Sequence, residues 1–331
     1  MKKIDKSNMF ETLSSFYKQF TEAREFVKKI PKMKIDSIVI AGMGGSGISG
    51  DILQAYLKRE MRIPITVVKN YSLPGFVDKN TLIIVNSYSG NTEEALSVYK
   101  EARKIRAKII CVASGGLLER HCKKDRVELI KIPSGIPPRT ALGYSFVPML
   151  LMLQKLGLVK NKNSEISETA RLLRKMSREL SKKNSISEKL AKSIGKRIPI
   201  IYSSEELYPV AYRWSTEFNE NSKCLAFSKS LPEQNHNEIN AIPTTKENIF
   251  VIMIRDKKDN KRIQKRFTFL KSILPRQIPC QEIWTRGNSA LARIFSAIYI
   301  GSFCSYYLAI RKDIDPSPVK VIEKLKKTLR N

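Results

Sequence analysis

Along this chain, short apolar runs alternate with amphipathic stretches, a pattern that predicts a parallel sheet wrapped by helices. Residues 8–29 carry Phe10, Leu13, Tyr17, Phe20 and Val27 at helical spacing with Lys, Arg and Glu between them, which predicts one amphipathic helix. Strands follow at 36–41, 65–68, 81–86, 107–112 and 127–132, with helices predicted at 51–58 and 93–105. The helix at 93 opens on Glu93 and Glu94, which suit the positive end of a helix dipole. A proline-rich turn spans 133–139, and a polar, basic, helical stretch runs from 160 to 197, with 161–167 as a linker. A second series then begins: strands at 198–202, 248–255 and 278–284, and a helix at 208–221. The two halves follow one α/β plan.

One segment, 290–310, is long enough to span a bilayer. It contains Arg293 and three serines, and no other segment resembles it, so it predicts a buried or subunit-interface helix and no membrane partner.

The length of 331 residues suits two domains at about 150 residues each. Hydrophobic residues make up 42% and charged residues 27%, enough for a core and against a disordered chain. Lysine and arginine number 60 against 31 acids, a formal net charge of +29. The positive residues are spread along the chain and form no recognisable nucleic-acid module, so a specific nucleic-acid partner is not expected. A lysine-rich solvated surface is the plain reading, and its field would attract anionic small molecules. The five cysteines are odd in number and include no C-x-x-C pair, and there are two histidines. That argues against a disulfide scaffold, a zinc ribbon or a multi-histidine metal site, and fits a reducing cytoplasm. No apolar run follows the basic first residues, so no secretory signal is expected.

Two turns carry candidate chemistry. Gly42-Met43-Gly44-Gly45-Ser46-Gly47 fits G-x-G-x-x-G between a strand and a helix. A dinucleotide site would also need an acid at the end of the second strand, which instead reads Val67-Val68-Lys69-Asn70. Ser87-Tyr88-Ser89-Gly90-Asn91-Thr92 sets three hydroxyls in a turn opening onto a helix, without the G-K-[ST] of a nucleotide P-loop. Backbone N–H groups at that helix start and three hydroxyls suit a phosphate monoester held without metal. A helix N-cap would account for one of the hydroxyls. The matching turn of the second half, Arg255 to Asp259, has no glycine and offers no anion cradle.

These two turns resemble the sugar isomerase (SIS) domain. Three further stretches resemble the bifunctional phosphoglucose/phosphomannose isomerases: Pro138-Arg139-Thr140-Ala141-Leu142-Gly143-Tyr144, Arg213-Trp214 through Asn219-Glu220-Asn221, and Pro232 through Asn235-His236-Asn237-Glu238. The resemblance covers nearly the whole chain and implies an α/β fold of two SIS subdomains, each a parallel sheet flanked by helices, with a C-terminal helical tail. The boundaries it suggests are 1–152, 153–311 and 312–331. It implies interconversion of glucose 6-phosphate and fructose 6-phosphate, and of mannose 6-phosphate too, through an enediolate, with no metal or organic cofactor.

The implied phosphate site is Gly44, Gly45, Ser46, Ser87, Ser89 and Thr92. Glu220 is the implied base between C1 and C2; a carboxylate near bound substrate can be tuned by desolvation. His236 suits ring opening as acid or base, and the resemblance implies a homodimer in which it acts in the partner's site. Arg139, stiffened by Pro137 and Pro138, would hold the enediolate oxygen or the phosphate. A C-terminal lysine is implied for ring opening; Lys326 is the choice, with Lys320, Lys324 and Lys327 as rivals and Ser317 as a match for a small hydroxyl near the tail. His121 reads as structural. Two rivals remain in view. A non-catalytic SIS sugar-phosphate sensor would keep the phosphate turns and need neither Glu220 nor His236. An aminosugar synthase would need an amidotransferase domain, for which a chain starting Met-Lys-Lys leaves no expected place.

Overall fold

The computed structural model describes residues 3–28 and 30–329. Their contacts form two units: one holds 15–174 and 289–292, the other holds the residues up to 14, 175–288 and those from 293 onward.

In the first unit, apolar and β-branched runs form β1 (Ser37–Ala41), β2 (Ile65–Val68), β3 (Thr81–Asn86), β4 (Lys108–Ala113) and β5 (Glu128–Lys131). They pair in parallel in the order β2-β1-β3-β4-β5. Every residue of the central β3 is buried, as a strand covered on both faces requires. Its Ile83 and Val85 share one face with Val98 and Tyr99 of helix Glu93–Ile105 and Leu118 of helix Gly116–Asp125. The alternate residues Leu82 and Ile84 point to the other face, which helices Gly44–Leu57 and Leu142–Lys155 cover.

The second unit repeats the winding with β6 (Ile198–Ser204), β7 (Phe227–Leu231), β8 (Ile249–Arg255) and β9 (Cys280–Trp284), parallel in the order β7-β6-β8-β9. Tyr202, Val251, Met253, Phe267 and Leu270 build its core on one face. Helix Ala290–Arg311 is, among the described residues, the one helix long and apolar enough to cross a membrane; 89% of its most apolar window is buried, so it is a core helix. The chain closes with helix Lys320–Thr328, none of whose residues is buried.

Some predicted elements change. The helix predicted at 8–29 is broken into Met9–Ser14, Phe16–Lys18, Gln19–Glu22 and Ala23–Phe26, and its residue 29 lies outside the described residues. The break has a cause. The Ser177 hydroxyl donates to the Ser14 carbonyl (2.6 Å), and the Lys18 N–H turns to the Ser15 carbonyl (2.9 Å) in a tighter turn. The linker predicted at 161–167 is mostly helix, because Asn161 accepts from the Asn163 N–H (2.9 Å) and starts Asn163–Leu180. The helix predicted from 51 begins at Gly44, within the glycine turn itself. Helix Leu142–Lys155 went unpredicted because eleven of its residues are buried, which erases the polar face. Strand β7 was missed too. As an edge strand it alternates weakly, with Phe227 exposed and Leu231 buried.

Candidate functional site

The order β2-β1-β3 sets the place of the site. The chain leaves β1 toward β2 on one side and leaves β3 toward β4 on the other, so a crevice opens between the carboxyl ends of β1 and β3. Helices Gly44–Leu57 and Glu93–Ile105 both begin there, with N–H groups that lack helical partners. Both candidate turns therefore meet at one point.

They are also bonded to each other. Asn86, fully buried at the end of β3, donates to the Ser46 carbonyl (2.9 Å) and the Ser49 hydroxyl (2.7 Å). The Tyr88 N–H donates to the Ser46 hydroxyl (3.1 Å). Ser87, 1% exposed, donates to the Thr92 hydroxyl (3.1 Å), and Ser89 accepts from the Asn91 N–H (3.2 Å). Thr92 stands at the N-cap position of helix Glu93–Ile105, yet its side chain makes no capping bond. Capping thus accounts for none of the three hydroxyls. The first turn of helix Gly116–Asp125 supports the hydroxyl-rich turn, with the Leu117 N–H donating to Asn91 Oδ1 (2.9 Å) and the Leu118 N–H to the Gly90 carbonyl (2.9 Å).

Arg139 belongs to the same cluster. It lies in the 3₁₀ turn Pro138–Thr140 and is 6% exposed. Gly45 permits its approach: a Cβ at Gly45 would sit 3.1 Å from both the Arg139 Cα and the Pro138 carbonyl oxygen. The Tyr88 hydroxyl accepts from the Ile136 N–H (3.2 Å), tying the proline-rich turn to the hydroxyl-rich one. Burial pushes the Tyr88 phenol up while that N–H pulls the other way. The structure therefore brings together Gly44, Gly45, Ser46, Ser87, Ser89, Thr92 and Arg139 within one unit.

Glu220, His236 and Lys326 lie in the other unit. Glu220 is half-buried in the last turn of helix Tyr208–Ser222. That helix is held to helix Ala290–Arg311 by a polar seam that sequence reading missed. Glu217, 2% exposed, accepts from Arg213 (2.7 Å) and Ser302 (2.9 Å). Asn221 donates to the Ser305 hydroxyl (2.9 Å), Ser222 to the Ser305 carbonyl (2.6 Å), and Trp214 Nε1 to the Ala297 carbonyl (3.0 Å). Lys223 donates to the Glu220 carbonyl and Lys312 to the Ser222 carbonyl (3.0 Å), so two cations close the helix's negative end. The spacing of Arg213 and Glu217, four apart, was the available signal for the ion pair; its partner Ser302 had none. Glu217→Ala would leave the Arg213 guanidinium buried without its carboxylate. We expect a loss of about 3–5 kcal/mol in stability, read by urea unfolding; a loss under 1 kcal/mol would mean that the seam is not a structural anchor.

His236 ends the turn Glu233–His236 and is exposed. Its neighbours fold back on the loop: Asn235 accepts from Arg266 (3.0 Å), and Asn237 donates to Glu233 (3.0 Å) and accepts from the Glu238 N–H (2.6 Å). Lys326 and its rivals Lys320, Lys324 and Lys327 are all exposed on helix Lys320–Thr328, so burial does not separate them. The Ser317 N–H donates to Asp315 (3.1 Å). His121 stacks on Tyr99 with centroids 5.7 Å apart, a structural contact.

The second sheet has its own switch point, between β6 and β8, but its loop is filled by its own carboxylates. Asp256 accepts from the Lys258 N–H (2.8 Å) and from Arg293 (2.8 Å), and Asp259 accepts from the Asp256 N–H (3.1 Å). Burial pushes the Asp259 carboxyl up. Among the described residues no group of three or more His, Cys, Asp or Glu is placed to hold a metal, and all five cysteines are free thiols.

Comparison with known proteins agrees with this division. A family model described as the bacterial phospho-glucose isomerase C-terminal SIS domain matches residues 183–329, and a SIS domain model matches 33–158. A bifunctional phosphoglucose/phosphomannose isomerase from Caldicellulosiruptor bescii is 39% identical over 97% of this chain and 98% of its own. One from Thermoplasma acidophilum is 41% identical over 88% of this chain and 89% of its own. Among solved structures, the C-terminal domain of glucosamine-fructose-6-phosphate aminotransferase from Francisella tularensis superposes with a TM-score of 0.69 at 14% identity, covering 93% of this chain and 97% of that one, which speaks to the fold alone.

Proposed function

This chain belongs to the bifunctional phosphoglucose/phosphomannose isomerase family, and from that premise we propose how its residues divide the work. It is an aldose–ketose isomerase that interconverts glucose 6-phosphate and fructose 6-phosphate. The observation that carries this reading is the cluster of hydroxyls and helix N–H groups at the carboxyl ends of β1 and β3, with Arg139 beside it. Such a cluster fits a phosphate monoester.

In the proposed mechanism Ser46, Ser87, Ser89 and Thr92 hold the phosphate, with Gly44 and Gly45 letting backbone approach it. His236 and Lys326 open the sugar ring by moving a proton between the ring oxygen and the C1 or C2 hydroxyl. Glu220 takes the proton from C2 of the aldose and returns it to C1, and the reverse reaction runs through the same enediolate. Arg139 stabilises the negative oxygen of that intermediate. C2 is planar in the enediolate, so reprotonation on one face gives glucose 6-phosphate and on the other mannose 6-phosphate. One base serves both epimers only if rotation about the C2–C3 bond turns either face of C2 toward it.

A coupled assay started with fructose 6-phosphate, scoring glucose and mannose phosphates separately, tests the activity. Both products are expected; neither would form if the chain only binds sugar phosphate.

We also propose a homodimer in which His236 serves the partner's substrate. Its exposed turn supports this reading. Mixing inactive Glu220→Gln and inactive His236→Ala protomers should then restore part of the activity, because in a mixed dimer one substrate meets both wild-type groups. No recovery after demonstrated subunit exchange would place both groups on the same chain.

A further inference from the structure

We propose that Gln19 is a positioning residue for Arg139, through a hydrogen bond to the turn that carries it; the inference rests on the role given to Arg139 above. Gln19 is 3% exposed and uses both ends of its side-chain amide. Its Nε2 donates to the Thr140 carbonyl (2.7 Å), the residue after Arg139. Its Oε1 accepts from the N–H groups of Gly143 (2.9 Å) and Tyr144 (3.3 Å).

Those two N–H groups belong to the first turn of helix Leu142–Lys155, where helical partners are lacking. The residue at the cap position is Ala141, which has no side-chain acceptor. A glutamine more than a hundred residues earlier in the chain supplies it. The close fit explains the glycine in the Arg139 motif: a Cβ at Gly143 would lie 2.7 Å from the Gln19 Cβ.

The turn is thus held from two sides. On one side Gly45 leaves room for no side chain, since a Cβ there would sit 3.1 Å from the Arg139 Cα and the Pro138 carbonyl oxygen, and on the other Gln19 grips the Thr140 carbonyl. Pro137 completes it, accepting from both the N–H and the hydroxyl of Thr140 (2.8 Å each). Arg139 can shift its backbone only if one of these contacts opens.

The two ends of the amide separate a structural role from a positioning one. In Gln19→Glu the carboxylate still accepts from Gly143 and Tyr144, at a helix start that favours negative charge. It cannot donate to Thr140. With its charge buried and one oxygen facing that carbonyl, the variant should melt below the wild type, and the folded protein should lose roughly tenfold to a hundredfold in kcat with KM changed by less than about threefold, the effect of a displaced catalytic group. In an Arg139→Ala background the same substitution should cost nothing further, because the two act through one contact. Full kcat in a folded Gln19→Glu would overturn the inference, and so would an equal loss with and without Arg139. If Gln19→Glu does not fold, Gln19→Met, which removes both bonds, carries the cycle on kcat alone: its loss in kcat should again vanish in the Arg139→Ala background. Wild-type activity in Arg139→Ala alone would be a different failure: the catalytic role of Arg139 would fall, and the role of Gln19 with it.

Discussion

Glu220→Gln is expected to fold as the wild type does, to bind sugar phosphate, and to lose about 10²- to 10⁴-fold in kcat. The amide keeps the volume of the carboxyl group but cannot accept the C2 proton. The fold should survive because other side chains anchor the helix: Glu217 to Arg213 and Ser302, Asn221 and Ser222 to Ser305, and Trp214 to Ala297. Binding should survive because the residues assigned to the phosphate lie in the other unit. The measurements are kcat in the coupled assay, the melting temperature, the affinity for glucitol 6-phosphate, which lacks the reacting carbonyl, and exchange of substrate C–H with solvent. A kcat within threefold of wild type, with exchange intact, would mean that another group is the base.

Ser87→Ala combined with Thr92→Ala should raise KM for every sugar phosphate by about 10²- to 10⁴-fold. Each lost hydrogen bond to a charged group is worth roughly 1.5–3 kcal/mol, and two are lost together. The expected effect is on ligand rather than fold, and the reason is specific. The Thr92 side chain makes no capping bond, so helix Glu93–Ile105 loses no cap when its hydroxyl is removed. The Ser87 and Thr92 hydroxyls bond to one another, so taking both leaves neither as the other's lost partner. The double variant should thus melt within a few degrees of the wild type. Competition by inorganic phosphate should weaken in parallel with KM. An unchanged KM would put the phosphate elsewhere.

Much of the fold was legible. Eight strands lie where apolar runs predict them, and helix Glu93–Ile105 has the predicted bounds. These elements show because their side chains repeat with the period of the structure, so a window of ten residues carries the signal. The missed elements lack that contrast. Helix Leu142–Lys155 is buried almost all round, and β7 is a short edge strand. The helix predicted at 8–29 has good local periodicity and is nevertheless broken, because Ser177, more than 160 residues away, takes the Ser14 carbonyl. The two glycine- and hydroxyl-rich turns at helix starts were equally legible, since turn chemistry is local. Their gathering with Arg139 within one unit was expected only from the family resemblance.

By itself, the sequence determined the α/β class, the positions of most strands, the two anion-suited turns, and the absence of such a turn in the second half. Periodicity and turn residues act over a few positions, so each of these is written where it occurs. Tertiary structure alone decided the strand order, and hence that the turns after β1 and β3 face one crevice. It also decided that carboxylates of Asp256 and Asp259 occupy the corresponding loop of the second sheet. Only the folded chain could show that Gln19 caps a helix beginning at Leu142, and that Ser302 completes the seam behind Glu220. Such pairings join residues 85 to 124 positions apart. No local pattern encodes them, because a buried donor takes whichever acceptor the packing of whole helices brings within reach.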